Sequence, residues 1–145
     1  MLHGDISSRE APRIAFDIDS VLFTDKPLRK SFISRVFSFL ETPTEKYLNR
    51  ELNTLNKSVI EYIWNKTQYS IYLVTFDCIE LEELHSFLIN KNIPYTNLDF
   101  FMEWDDVRYR LINGFFTYFF SANEELISYV GNGAKYIGNW RSVIK

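Results

Sequence analysis

Two aspartates separated by a single residue, Asp17 and Asp19, form the most chemically suggestive pair in the sequence. They lie at the end of residues 13–19. The apolar residues that precede Asp17 are typical of a buried parallel strand whose carboxyl end opens on a site. Two carboxylates this close repel and raise each other's pKa unless a cation lies nearby. A hard divalent cation such as Mg²⁺ relieves the repulsion, and one acid can then act as nucleophile while the other transfers protons. The alternative is that both acids only shape a turn and cap the segment that follows.

Other polar residues of interest should follow other strands, because open parallel sheets bind ligands outside the carboxyl ends of their strands. The apolar runs predict five strands, at residues 13–17, 71–75, 98–102, 115–120 and 135–137. Helical spacing and capping signals predict helices at 28–40, 80–91, 105–112 and 123–130, and a further helical stretch from 42 to 64 with an interruption at 49–56. This alternation predicts an α/β fold, a Rossmann-like three-layer sandwich around a five-stranded parallel sheet.

The composition fits one soluble globular domain over residues 1–145. Of the 145 residues, 46% are hydrophobic and 24% are charged, which is ordinary for a folded domain. The apolar runs are too short to span a bilayer and no secretory signal is visible, so a cytoplasmic location without membrane contact is expected. A net charge of −3 gives no basis for general nucleic-acid binding. A single cysteine, Cys78, and two histidines exclude an internal disulfide and a conventional zinc site.

Residues 14–22, Ile-Ala-Phe-Asp-Ile-Asp-Ser-Val-Leu, resemble the first motif of the haloacid dehalogenase-like (HAD) hydrolases. In that motif an apolar strand ends in Asp-x-Asp, followed by a small residue and then apolar ones. The run 71–75 resembles the second motif, an apolar strand ending in Thr or Ser, and residues 84–101 look like the helix-to-strand passage of the phosphatase branch. The resemblance covers most of the chain in the family's order, and only the first motif is specific by itself. It implies a HAD-like fold with at most a small helical cap within residues 27–56.

In that family the first aspartate attacks phosphorus and becomes an aspartyl phosphate, while the second protonates the leaving group and later activates water. The resemblance therefore implies that Asp17 is the nucleophile and Asp19 the acid and base. It also implies that Ser20 and Thr75 contact the transferring phosphoryl group, although Thr75 can equally be an ordinary strand-end threonine. The Mg²⁺ cofactor would lie between Asp17, the backbone carbonyl of Asp19 and an acidic residue of the fourth motif.

The fourth motif departs from the family pattern. The family presents one or two aspartates after the fourth strand, where this sequence has Ser121. Glu124 is the candidate metal ligand in their place, and Glu125 is the other carboxylate within reach. Both can instead be solvated residues of a first helical turn, which the helix dipole stabilises.

The third motif is also altered, because arginines stand where the family has a lysine. Arg108 is the candidate catalytic cation and Arg110 a candidate substrate-binding one, and the sequence does not choose which of them replaces the lysine. An arginine can neutralise a nucleophile and a phosphate, but its planar fork is not interchangeable with the point charge of a lysine. Either arginine can instead lie on the surface and pair with Asp105 or Asp106.

These motifs lead to two expectations about function. The first is a Mg²⁺-dependent phosphohydrolase that acts on a small phosphorylated molecule, a phosphomonoester that can be a nucleotide. The second is a HAD-derived binding or regulatory protein that kept the fold and both aspartates but lost efficient catalysis. The paired aspartates favour the enzyme, and the missing fourth-motif aspartate favours the binding protein. Substrate identity and oligomeric state stay open.

Overall fold

Strands and helices alternate along the chain of the computed structural model, which describes residues 2–3, 11–27 and 40–144. The strands are β1 Leu2–His3, β2 Arg13–Asp17, β3 Phe23–Pro27, β4 Arg50–Leu52, β5 Ser70–Thr75, β6 Asn97–Phe100, β7 Tyr118–Ser121 and β8 Ala134–Tyr136. The helices are α1 Ile18–Val21, α2 Pro43–Leu48, α3 Thr54–Lys66, α4 Leu81–Asn90, α5 Trp104–Ile112, α6 Glu124–Val130 and α7 Trp140–Val143, with a 3-10 turn at Ile137–Asn139. Residues 28–39, which include most of the predicted helix 28–40 and part of the predicted cap region 27–56, lie outside the described residues.

Among the described residues, six strands form the main sheet, in the order β1-β6-β5-β2-β7-β8. The last five are parallel to one another, which confirms the predicted α/β fold with a five-stranded parallel sheet. The edge strand β1 runs antiparallel to β6 and was not predicted, because two residues are too few to show a period. After β2 the chain adds β5 and β6 on one side and then β7 and β8 on the other. The direction of winding therefore reverses at β2, the position at which open α/β sheets bind ligands.

Helices cover both faces of this sheet and give the three layers. Successive residues of β2 point to opposite faces, so Ile14 and Phe16 join one buried cluster while Ala15 joins the other. The first cluster packs the sheet against α3, α4 and the C-terminal segment, and the second packs it against α5 and α6. Burial on both faces explains why the sequence of β2 is a continuous apolar run.

The register between β2 and β7 places their carboxyl ends side by side. Phe16 lies opposite Phe120, and their rings stack with centroids 5.4 Å apart. The next residue on β2 is Asp17 and the next on β7 is Ser121. A packed aromatic pair therefore fixes the position at which these two polar side chains meet.

A second, two-stranded antiparallel sheet is formed by β3 and β4, with Phe23 opposite Leu52. It follows α1, a single helical turn that directly continues β2. Between the two strands, α2 begins at Pro43, where Thr42 and Glu45 form a capping box. The interruption predicted at 49–56 corresponds to β4 and to the start of α3. This sheet brings Arg50, the first residue of β4, next to the end of β2.

The strand predicted at 115–120 begins later than expected, at Tyr118. Phe115 and Phe116 precede it in the turn after α5, where Gly114 has a φ of 78° that favours glycine. Both phenylalanine rings pack against Tyr72 of β5, with centroids 5.5 Å away in each case. A run of aromatic residues predicts burial in this region but does not distinguish a strand from a buried turn.

Candidate active site

Asp17 ends the central strand at the point where the winding of the sheet reverses. Its side chain is only 2% exposed. Oδ2 accepts hydrogen bonds from Ser20 Oγ at 2.7 Å and from Ser121 Oγ at 2.8 Å. Oδ1 is buried and has no hydrogen-bond partner among the residues that the structure describes. Because buried polar atoms are nearly always paired, this oxygen indicates a place for an ion, a water molecule or a ligand atom.

The two serines are oriented by backbone N–H groups after β7. Ser20 Oγ accepts a hydrogen bond from the N–H of Ala122 at 3.0 Å, and Ser121 Oγ accepts one from the N–H of Asn123 at 2.9 Å. These bonds leave the hydroxyl hydrogens free to point to Asp17. Ser121 therefore donates a hydrogen bond to Asp17, where a carboxylate at the same position would repel it.

Burial, and after it the charge of Asp19, raise the pKa of Asp17 from 3.8 to about 6, against the opposite effect of the two serine hydrogen bonds. At pH 7 the ionised form is still favoured by about ten to one. Asp17 is thus an anion at neutral pH that takes up a proton in mildly acidic solution.

Asp19 lies in α1 and accepts hydrogen bonds on both of its oxygens. Oδ1 accepts from Tyr47 Oη at 2.5 Å and from Thr75 Oγ1 at 2.6 Å, while Oδ2 accepts from the N–H of Phe76 at 2.8 Å. These donors come from α2, from the end of β5 and from the residue after it. Asp19 therefore connects the single turn after β2 to the neighbouring strand and to α2.

The two hydroxyl donors to Asp19 are neighbours, since Thr75 Oγ1 lies 3.4 Å from Tyr47 Oη, and their shorter hydrogen bonds are to Asp19. Thr75 is fully buried, and its oxygen accepts from the N–H groups of Asp77 and Cys78, which leaves its hydrogen for Asp19. Burial and the neighbouring Asp19 charge raise the pKa of Tyr47 far above its usual range, so its hydroxyl stays protonated. Both groups hold Asp19 in one orientation.

The carboxyl ends of the strands and the second sheet enclose a cavity of about 580 Å³. Asp17, Asp19 and Ser20 line it together with Phe23, Thr24, Asp25, Arg50, Asn53, Phe76, Asp77, Trp104, Ala122, Asn123 and Leu126. Four of these side chains are aspartates. The volume is in the range of small-molecule sites.

The structure brings Asp17, Asp19, Ser20 and Thr75 to the carboxyl ends of β2 and β5, where Ser20 donates to Asp17 and Thr75 donates to Asp19. The first three line the cavity, whereas Thr75 lies behind Asp19 and does not. A direct contact between Thr75 and a phosphoryl group would therefore require Asp19 to move.

The remaining predicted residues lie elsewhere, and none of them lines the cavity. Arg108 forms a 3.6 Å salt bridge with Asp105 at the surface. The guanidinium of Arg110 lies over the ring of Phe115, 4.6 Å from its centroid. Glu124 is exposed in the first turn of α6. Glu124 is therefore a solvated residue, Arg108 pairs with a carboxylate at the surface, and Arg110 stacks on an aromatic ring.

Three residues of the site were not singled out from the sequence: Tyr47, Arg50 and Asp77. Asp77 follows a predicted strand end by two residues, so the rule that directed attention to Thr75 could have found it. Tyr47 and Arg50 belong to α2 and β4, whose position over β2 depends on pairing with β3. No local pattern predicts that pairing.

The oxygen atoms around Asp17 fit a weakly held Mg²⁺ ion. Among the described residues no group of three or more His, Cys, Asp or Glu side chains could hold a metal. Mg²⁺ nevertheless needs only one or two carboxylates, because it usually keeps several waters. The unpartnered Oδ1 of Asp17 and the carbonyl oxygen of Asp19, which accepts one 3.5 Å hydrogen bond from Arg50, are hard donors of the required kind.

The fold and the site together define an α/β protein of Rossmann-like architecture with a carboxylate pair at the reversal point of its sheet. Comparisons of the chain with models of protein families, with curated proteins and with solved structures found no match. No helix in the described parts of the chain has the length and apolar character that crossing a membrane requires. Fold alone does not determine function, which depends on the residues of the site.

Proposed function

We propose that this protein is a HAD-like, Mg²⁺-dependent phosphohydrolase that cleaves a phosphomonoester through an aspartyl phosphate on Asp17. The observation that supports this most is the state of Asp17 itself. It is a buried carboxylate at the end of the central strand, it borders a ligand-sized cavity, and one of its oxygens has no partner in the described protein. A carboxylate held only for structure would be expected to have both oxygens paired.

In the first step an oxygen of Asp17 bonds to phosphorus while the bond between phosphorus and the leaving-group oxygen breaks. The pKa of about 6 leaves Asp17 ionised, and therefore nucleophilic, at neutral pH. The hydroxyl groups of Ser20 and Ser121 fix the orientation of the carboxylate through Oδ2. Fixing the nucleophile in this way reduces the entropy lost on reaching the transition state.

In the first step a proton on Asp19 passes to the leaving-group oxygen, and in the second step Asp19 regains a proton from the water that attacks the aspartyl phosphate, so the cycle begins and ends with Asp19 protonated. The second step breaks the bond between phosphorus and the Asp17 oxygen, releases inorganic phosphate and restores Asp17. Because Tyr47, Thr75 and a backbone N–H occupy both oxygens of Asp19, proton transfer requires one of these hydrogen bonds to break. Tyr47 and Thr75 are thus positioning residues for Asp19.

Oδ1 of Asp17 and the carbonyl oxygen of Asp19 would hold the Mg²⁺ ion, with water as the other ligands. When bound, the ion supplies positive charge that offsets the repulsion between the Asp17 carboxylate and the phosphate oxygens. The seryl hydroxyls of Ser20 and Ser121 stay on Oδ2 and do not compete for Oδ1.

One observation favours the second function, a HAD-derived binding or regulatory protein without efficient catalysis. Ser121 stands where the resemblance expects a metal-binding carboxylate, and it hydrogen-bonds to Asp17 as a neutral donor. A site with one negative charge fewer holds Mg²⁺ more weakly. Such a protein would bind a phosphorylated ligand in the same cavity and release it unchanged.

Hydrolysis of p-nitrophenyl phosphate, with Mg²⁺ and with EDTA, separates the two functions. We expect Mg²⁺-dependent turnover by the wild type and by Asp105→Asn, a surface control. Asp17→Asn should be at least about a thousandfold slower, because an amide oxygen is a far poorer nucleophile. Mass spectrometry after acid quenching should find the phosphoryl group on Asp17. Turnover of Asp17→Asn near the wild-type rate would remove the assignment, and phosphate binding without turnover would favour the binding protein.

A further inference from the structure

Arg50 is the one lysine or arginine among the described residues that line the cavity. The same cavity is lined by Asp17, Asp19, Asp25 and Asp77. A phosphorylated ligand therefore enters a site in which four carboxyl groups repel it and one guanidinium attracts it. Since Coulomb interactions strengthen in partly desolvated surroundings, the position of this single cation matters for any anion bound there.

The guanidinium is held next to the backbone of Asp19 by four contacts. Nε donates to the carbonyl oxygen of Tyr47 at 3.1 Å, and Nη1 donates to the carbonyl oxygen of Asp19 at 3.5 Å. The guanidinium carbon lies 4.6 Å from the ring centroid of Tyr47 and 4.7 Å from that of Phe23. Stacking on two rings fixes the plane of the guanidinium, so less entropy is lost when it binds a ligand.

Most of the hydrogen-bonding capacity of Arg50 is unused. An arginine has five N–H donors, and the structure pairs only Nε and Nη1 with protein acceptors. Nη2 is buried without a hydrogen-bond partner, and none of the carboxylates that the structure describes forms a salt bridge with Arg50. Leaving buried donors unpaired is costly. The contacts of Arg50 within the second sheet therefore leave part of its guanidinium without an acceptor among the described residues.

We propose that Arg50 binds the phosphate group of the ligand and so takes the role that the resemblance assigned to Arg108 or Arg110. Once the guanidinium turns so that Nη2 faces the cavity, its fork can donate two parallel hydrogen bonds to phosphate oxygens. The inference rests on the proposed function for its choice of a phosphate ligand, but it requires binding only, not turnover. It places the cation on the β3–β4 sheet, opposite the strand ends that provide Asp17 and Ser121.

Isothermal titration of the full chain with inorganic phosphate, in Mg²⁺ and in EDTA, tests the proposal. Arg50→Gln keeps much of the stem and loses the charge, and it should weaken phosphate binding by at least about tenfold, the loss expected for a charge-assisted hydrogen bond. Arg50→Lys keeps the charge and should lose less. Arg141→Ala is the matched control, because Arg141 also stacks on an aromatic ring, 4.6 Å from the Trp140 centroid, and does not line this cavity.

The outcomes of this titration separate the inference from the proposed function. If phosphate binding depends on Arg50 but p-nitrophenyl phosphate is not hydrolysed, the inference stands and the enzymatic function fails. If hydrolysis occurs but Arg50→Gln changes neither phosphate affinity nor KM, the inference is wrong and the function stands. Absence of phosphate binding to the wild type in both buffers also overturns the inference. Melting temperatures verify folding, and Arg50→Met, which can still pack against Phe23 and Tyr47, replaces Arg50→Gln if that variant does not fold.

Discussion

Ser121 Oγ donates a 2.8 Å hydrogen bond to Oδ2 of Asp17, from a position 104 residues away in the sequence. Both side chains are buried, and they are neighbours because β2 and β7 are adjacent and parallel. A neutral donor at this position stabilises the ionised form of Asp17, where a carboxylate would destabilise it. The protein can therefore keep Asp17 buried without a cation, at the expense of one potential metal ligand.

Ser121→Asp should destabilise the protein in EDTA, because it adds a second carboxylate at hydrogen-bond distance from buried Asp17. Repulsion that shifts a carboxyl pKa by one to three units corresponds to about 1.4 to 4 kcal/mol of folding free energy. Mg²⁺ should reverse the loss and bind this variant more tightly than the wild type. Melting curves and Mg²⁺ titration measure both effects.

Ser121→Asn is the control for that prediction, since it adds bulk to the same position without charge. Equal stability of Ser121→Asp and Ser121→Asn in EDTA, with no gain in Mg²⁺ affinity for the former, would show that this position does not face the carboxylate of Asp17 in solution.

The raised pKa of Asp17 makes stability depend on pH with a definite sign. Between about pH 4 and pH 6 the folded protein holds a proton on Asp17 that the unfolded chain has released, so stability falls as pH rises and levels off above pH 6. The contribution is about 3 kcal/mol over this window. Asp17→Asn has no carboxyl group at this position and so does not lose this stability as pH rises. It should therefore be more stable than the wild type at pH 7 in EDTA.

Urea unfolding of both proteins at several pH values measures this contribution as the difference between wild type and Asp17→Asn. The difference isolates Asp17, because the other carboxylates titrate in both proteins. Parallel stability curves from pH 4 to 7 would mean that Asp17 is solvated in the folded state.

The fully buried hydroxyl of Thr75 should matter more for stability than its methyl group. Thr75→Val removes the donor to Asp19 and leaves the N–H groups of Asp77 and Cys78 without their acceptor. We expect a loss of about 2 to 4 kcal/mol, from one hydrogen bond to a carboxylate and unpaired donors. Thr75→Ser keeps these bonds and should lose only about 1 kcal/mol for the missing methyl group. Equal losses for the two variants, measured by urea unfolding, would contradict the role of the hydroxyl.

Local patterns in the sequence predicted the five parallel strands of the main sheet and the residues at their ends, but not the edge strand β1. The strand Arg13–Asp17 is a buried apolar run that ends in an acid, and the run ending at Thr75 has the same form. In a parallel sheet both carboxyl ends lie on one edge, so the proximity of Asp19 and Thr75 follows from the fold class. In the structure the two residues are joined by the 2.6 Å hydrogen bond from Thr75 Oγ1 to Asp19 Oδ1.

The cation of the site could not be predicted in the same way, because it depends on long-range pairing. Arg50 reaches Asp19 only through the β3–β4 sheet, whose strands are short and separated in the sequence by α2. Arg108 and Arg110 lie where the family order expects a lysine, but Arg108 pairs at the surface with Asp105, one helical turn earlier, and neither arginine lines the cavity. Spacing along the chain therefore led to arginines outside the cavity lining and not to Arg50, which lines it.

Removing the charge of Asp77 should weaken Mg²⁺ binding, whereas removing that of Glu124 should not. Asp77 lines the cavity beside Asp19, while Glu124 is an exposed residue of the first turn of α6 outside the cavity lining. One carboxylate fewer near a divalent ion lowers its affinity through the Coulomb interaction even without direct contact. We expect Asp77→Asn to reduce Mg²⁺ affinity several-fold and Glu124→Gln to leave it unchanged.

The measurement is the Mg²⁺ concentration that gives half of the rise in melting temperature, with Glu125→Gln as a control from the same helical turn. A large loss for Glu124→Gln, with no loss for Asp77→Asn or Glu125→Gln, would mean that Glu124 reaches the metal from α6, as the sequence resemblance implied.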